Sequence, residues 1–193
     1  MTRLFLVRHG PTHAKSMVGW SDLPADLSDT AQIARLSAYL PSDAVVVSSD
    51  LSRAVDTAHA IQGDGHTRLP HHPDLREIHF GAWELRTWAE IDAEDPDHIR
   101  AYWETPGDVR PPGGESWNEV CARANRTIDE LIQAYSGRNL IVVAHFGMIL
   151  TQVQRAEQLT AEEAFSHRID NLSVTEITRL AEGWETGRIN HLP

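Results

Sequence analysis

Short unbroken apolar runs alternate along this chain with segments whose apolar residues recur every three or four positions. The runs RLFLV (residues 3–7), AVVVSS (44–49) and NLIVVA (139–144) are rich in β-branched residues and read as buried parallel strands. Between them, Ile33, Leu36 and Leu40 mark one face of a helix that opens near Ser28 and is stopped by Pro41. Leu51, Val55, Ala58 and Ile61 mark a second helix, ended by the glycines at 63 and 65. The clearest helix runs from Trp117 to Tyr135. Ser116 and Glu119 supply a capping box, Trp117, Val120, Ala124, Ile128, Leu131 and Tyr135 repeat at helical spacing, and Gly137 provides the stop. A further helix is expected after Gly147, and the tail from Asn171 reads as a strand, a turn at Glu182–Gly183 and a second strand.

Strands alternating with helices predict a three-layer α/β/α fold around a mainly parallel central sheet. Residues 70–114 break the pattern. They hold Trp83, Trp88 and Trp103 with many acids and prolines, and read as a cap-like insertion of short helices over one end of the sheet. Trp83 and Trp88 are expected to pack rather than to stack on a ligand. A length of 193 residues suits a single domain spanning 1–193.

Composition narrows the partners. The formal charge of −11, with no basic run, argues against nucleic acid. No segment approaches the ~18 apolar residues of a membrane span, and the N-terminus lacks the features of a signal peptide, so a cytoplasmic protein is the expectation. A single cysteine, Cys121, forms no internal disulfide and builds no thiolate metal site alone. It does not fit a Cys-x5-Arg nucleophile either, because Thr127 occupies the sixth position after it. An acidic body with scattered arginines suits a small anionic substrate.

In parallel α/β sheets, ligands bind beyond the carboxyl ends of the strands. Arg8 and His9 leave the first strand there, His145 leaves the NLIVVA strand, and Ser48, Ser49 and Asp50 lead from the third into the helix bearing Arg53. If these strands are neighbours, two histidines and two arginines converge. Each histidine is followed within two residues by a glycine, Gly10 or Gly147, which is useful where a ligand must approach the backbone closely. Paired histidines also suit zinc, but Arg8 beside His9 speaks against a cation there. His71 and His72 read as part of a solvated loop.

The stretch LVRHGPT (residues 6–12) resembles the Arg-His-Gly motif of the histidine phosphatase superfamily. SSDLSRAVDTA resembles that family's second-arginine segment, LREIHFGAWE its catalytic-acid segment, PPGGESWNEVCARA the Gly-Glu-Ser stretch opening a long helix, VVAHFGMI the second-histidine segment, and IDNLSVTEI its terminal strand. Their order and spacing agree over nearly the whole chain.

The resemblance implies a phosphoglycerate mutase-like fold and hydrolysis of small phosphomonoesters with no metal and no cofactor. It implies His9 as nucleophile, Glu77 as proton donor, His145 as a further catalytic group, and Arg8 and Arg53 as phosphate binders. Two charged forks beside His9 would favour its neutral, nucleophilic form. Thr12 is either a phosphate donor or a turn-capping hydroxyl. Three positions depart from the family pattern: Pro11 where many members have Glu or Gln, Lys15 where they have Asn, and Phe146 where they have a small residue. Lys15 is expected to contact phosphate as a point charge. A phosphomutase of the phosphoglycerate mutase type, or a phosphate-binding protein without catalysis, is the alternative function. The oligomeric state stays open, a homodimer included.

Overall fold

The computed structural model describes residues Met1–Pro193. Six strands form one sheet in the order β3-β2-β4-β1-β5-β6. They are β1 (Thr2–Arg8), β2 (Ala44–Ser48), β3 (His66–Arg68), β4 (Asn139–Ala144), β5 (Val174–Arg179) and β6 (Trp184–Thr186). The first four pair in parallel, while β5 runs antiparallel to β1 and β6 antiparallel to β5. Strands β2, β4 and β1 are thus the adjacent neighbours that convergence at the carboxyl edge requires.

Both faces of the sheet are buried, with the two-residue alternation expected of a covered strand. Leu4, Leu6, Val45, Val47, Leu140 and Val142 point into one apolar cluster, and Phe5, Val7, Val46, Ile141 and Val143 into the other. The second cluster is completed by α1 (Thr30–Tyr39) and α2 (Ser52–Ile61), through Leu36, Ala54, Ala58 and Ile61. The first is completed by α5 (Trp117–Ala134) and α6 (Phe146–Glu157), through Trp117, Val120, Ala124, Ile128, Met148 and Leu150.

The segment 70–114 holds two short 3-10 turns with α3 (Trp88–Glu94) and α4 (Pro96–Glu104). Leu75, Ile78, Phe80, Trp83, Ile91, Ile99 and Tyr102 from this segment enter the same cluster as α5 and α6. Trp83 packs edge-on to Tyr102, but Trp88 is 42% exposed and does not join the core.

The capping box at Ser116 and Glu119 forms as expected. Two elements lie outside the sequence reading. The three-residue β3 is too short and polar to carry a periodic signal. Helix α7 (Ala161–Phe165) is opened by a capping box of its own, Thr160 with Glu163. That signature is legible in the sequence, but the helix behind it is barely more than one turn.

Leu140 lies on the central strand β4 and is fully buried. Leu140→Ala is expected to lower the unfolding free energy by about 2–5 kcal/mol, because the packed layers close only partly over the lost side chain. Urea unfolding followed by circular dichroism checks this.

Candidate active site

The parallel ladder continues past the strand ends and delivers the candidate residues to one edge. The His9 amide donates to Ala144 O at 3.1 Å, and the Ser49 amide to Val143 O at 3.0 Å. His9 is 6% exposed. Its Nδ1 lies 2.6 Å from the carbonyl oxygen of Gly10, so that nitrogen carries the proton and the lone pair sits on Nε2. Arg53 Nε donates to that same Nε2 at 3.3 Å. The unprotonated nitrogen therefore faces the cation. Burial, then Arg53 and then Arg8 lower the His9 pKa from 6.5 to about 3, opposed by the bond to Gly10. Desolvation is the larger cause, and the arginines, credited from the sequence, add to it.

Arg53 is fully buried on α2 and donates to the carbonyls of Ser21 at 2.8 Å and Gly19 at 2.6 Å. With the bond to His9 this occupies three of its five N–H donors. The carbonyls are themselves held in place. Glu84 accepts from the amides of Gly19 and Trp20 and from the Ser21 hydroxyl at 3.0, 2.7 and 2.8 Å. Thr57, one turn along α2, accepts from the Gly10 amide at 2.9 Å and donates to Arg53 O at 2.7 Å, which ties the His9 loop to the arginine helix.

Arg8 donates to Ile169 O at 2.6 Å, and its guanidinium stands 5.6 Å from the Phe146 ring centre. Its Nε is buried without a partner. His145 is fully buried, with its ring centre 5.1 Å from that of His9, and neither ring nitrogen has a partner. Burial, then the neighbouring His9 and the arginines, hold His145 neutral, well below its ordinary pKa. Neutral imidazole has one N–H to give, so this ring offers an unused donor beside His9.

Glu77 is 7% exposed. Its Oε1 accepts from the amides of Ile78 and Gly147, both at 3.0 Å, while Oε2 has only a longer contact of 3.2 Å to Gly147. Oε2 is therefore the oxygen free to carry a proton. Burial raises the Glu77 pKa above 4.5, against the pull of the two amides, Arg53 and Arg8.

Arg8, His9, Thr12, Arg53 and Glu77 line one polar cavity of about 110 Å³, together with Ala14, Ser16 and Val18. The loop contributes its even-numbered residues. Lys15, expected at the phosphate, falls on the other side of that alternation and is exposed outside the lining. Thr12 serves the turn as well as the cavity, since its hydroxyl accepts from the Ala14 amide at 3.4 Å.

The two glycines also differ from expectation. A Cβ on Gly10 would come within 2.6 Å of Leu27, and one on Gly147 within 2.5 Å of Glu77 Oε1 and 2.8 Å of Ile78. They make room for protein atoms rather than for a ligand. His72 accepts from the Asp74 amide to cap a 3-10 turn, and His71 Nδ1 pairs with Arg68, so both have local structural partners.

Residues the sequence reading passed over are Thr57, Glu84, Glu115, Arg123 and Asn171, the last donating to His9 O at 2.9 Å. All five lie inside the stretches that carry the family resemblance, and that position is the signal by which they were accessible.

Comparison with known proteins agrees with this geometry. The profile of the histidine phosphatase superfamily (branch 1) matches residues 4–192. The chain is 30% identical to a bifunctional protein of Mycobacterium tuberculosis across 97% of its own length, and it spans about half, 53%, of that relative. It is 29% identical to the adenosylcobalamin/alpha-ribazole phosphatase of Escherichia coli, over 87% of this chain and 85% of that one. The solved structure of YhfR from Bacillus stearothermophilus superposes with a TM-score of 0.91 at 26% identity, covering 100% of this chain and 98% of the other. With its profile matched from the first strand to the last bridge, this chain belongs to the histidine phosphatase superfamily, branch 1.

Proposed function

We propose that the chain hydrolyses small phosphomonoesters without a metal, through a phosphohistidine on Nε2 of His9. The observation that carries this reading is the set of unused donors around one lone pair. His145 and Arg8 Nε are buried without partners beside a His9 whose Nε2 is unprotonated and faces Arg53. Buried polar groups without partners are rare in folded proteins, and a tetrahedral oxyanion bound at Nε2 gives the N–H donors of Arg8 and His145 an acceptor.

In the first step Nε2 attacks phosphorus and the bond to the ester oxygen breaks. The Glu77 carboxyl gives its proton to the leaving alkoxide. Arg8, Arg53 and His145 hold the equatorial oxygens, where charge gathers during transfer. In the second step water attacks phosphorus, Glu77 takes a water proton, and the P–N bond returns its electron pair to His9.

The cavity of about 110 Å³ is well under the ~300 Å³ of a site that encloses a whole drug-sized ligand. It suits the phosphoryl group and leaves the alcohol of the ester outside it. Its lining has no cation beyond Arg8 and Arg53. A mutase must also hold the second charged group of its substrate while the phosphoryl group moves, so this lining favours transfer to water. The activity named for the Escherichia coli relative is consistent with the reading.

His9→Ala is expected to abolish turnover of a phosphomonoester panel with the fold unchanged by circular dichroism, and retained turnover would reject His9 as nucleophile. The pH profile of kcat/KM is expected to be bell-shaped. Protonation of His9 closes it on the acid side, well below the ordinary 6.5 because burial depresses that group to about 3. Deprotonation of Glu77 closes it on the alkaline side, above 4.5 because burial raises that carboxyl. Glu77→Gln should remove the alkaline limb and lower kcat on alkyl phosphates by about 10²–10⁴-fold. Arg53→Met should weaken inorganic phosphate binding by about 10- to 100-fold in titration calorimetry, as expected for losing ~1.5–3 kcal/mol of charged hydrogen bonding.

A further inference from the structure

Helix α5 carries an arginine that touches none of the cavity-lining side chains yet spends every donor it has next to one of them. Arg123 is 8% exposed. Its Nε and one terminal nitrogen donate to the two carboxylate oxygens of Glu115, both at 2.9 Å. The other terminal nitrogen donates to Asp74 O at 2.8 Å and Arg76 O at 3.0 Å. A fifth bond reaches Glu77 O at 3.2 Å. All five guanidinium N–H groups are thereby used.

The partner works on the opposite side of Glu77. Glu115 Oε2 also accepts the His79 amide at 2.9 Å, and the Glu115 amide donates to His79 O at 2.9 Å. The pair therefore grips residues 74, 76, 77 and 79. Asp74 lies in a 3-10 turn over Pro73–Leu75, and residues 76–79 after it belong to no sheet or helix, so no backbone ladder fixes them.

We propose that Arg123, aligned by Glu115, is the positioning residue for Glu77. It sets where the carboxyl stands relative to the ester oxygen, and does so by fixing the backbone on both sides of it. A buried ion pair contributes little net stability for its desolvation cost, and its best-attested use is to specify geometry. Here that geometry is aimed at one residue. Lysine, a point charge with three donors on a flexible stem, could not hold three carbonyls and a carboxylate at once.

The inference rests on the reading of Glu77 as proton donor, and the two are separable by leaving group. A nitrophenolate departs without a proton, whereas an alkoxide needs one. Arg123→Lys, Glu115→Gln, Glu77→Gln and the double variant Glu77→Gln/Arg123→Lys are compared on p-nitrophenyl phosphate and on glycerol 2-phosphate. Inhibition by inorganic phosphate and urea unfolding are measured alongside. Arg123→Lys and Glu115→Gln are expected to lose about tenfold or more in kcat on the alkyl ester and under about threefold on the aryl ester, as for a misplaced general acid. KM and the phosphate inhibition constant should stay within about twofold, because Arg8 and Arg53 are untouched. The alkaline limb should move to lower pH as water reaches the carboxyl. The double variant should be no slower than Glu77→Gln alone, since both changes act through one group.

Equal losses on both esters, additive losses in the double variant, or failure of both single clamp variants to fold would assign the pair to stability and overturn the proposal. If Glu77→Gln itself shows no dependence on leaving group, the proton-donor reading fails first and the positioning role falls with it.

Discussion

Two guanidinium groups sit buried or half-buried at the carboxyl edge of the sheet, and carbonyl oxygens hold them where carboxylates would be the usual partners. Neither Arg8 nor Arg53 forms an ion pair, and the acids that act on them, Glu77, Asp170, Asp22 and Glu84, do so from a distance. Removing a charge from water without a close counterion is costly. Much of the surrounding architecture serves to keep these charges in place and unneutralised. Glu84 organises the loop whose carbonyls grip Arg53, and Thr57 ties that helix to Gly10.

The same burial sets the protonation states. His9 and His145 are held neutral and Glu77 is raised, with desolvation the largest cause in each case. A neutral imidazole and a carboxyl with a raised pKa therefore share one small cavity. Neighbouring charges alone would act differently, because the arginines favour the ionised form of Glu77. The low-dielectric setting supplied by the clusters on either side of β1 and β4 is what reverses that preference.

The packed layers and the site are joined through irregular backbone. Glu77 hangs on a stretch without ladder hydrogen bonds, reached by Arg123 from α5, by Glu115 at the mouth of that helix, and by Trp20, whose indole N–H donates to Glu77 O at 2.8 Å. Gly147, at the start of α6, completes the seat by leaving room for the carboxyl that its amide binds. The Glu77 carboxyl is thus placed by contacts from three separate parts of the chain.

Much of this protein was legible in the residue order. The strands β1, β2 and β4 and the helices packed on them follow from periodicity, because burial on two faces demands apolar runs and burial on one face demands a three-four repeat. The delivery of Arg8, His9 and His145 to one edge follows from parallel strands ending in register. The tertiary structure decided the rest. Whether Lys15 or Ser16 faces the cavity depends on the alternation of a loop pinned by Leu85 and Arg86, a contact nearly seventy residues away in sequence. Gly10 and Gly147 answer to Leu27 and Glu77, which no local pattern reveals. Arg123 reads in sequence as one more helical arginine, and its five bonds exist only once residues 74 to 79 lie against α5. Local patterns record which face of an element is buried. They carry no record of which distant backbone groups will need a donor when irregular segments pack together, and this site is built largely from such groups.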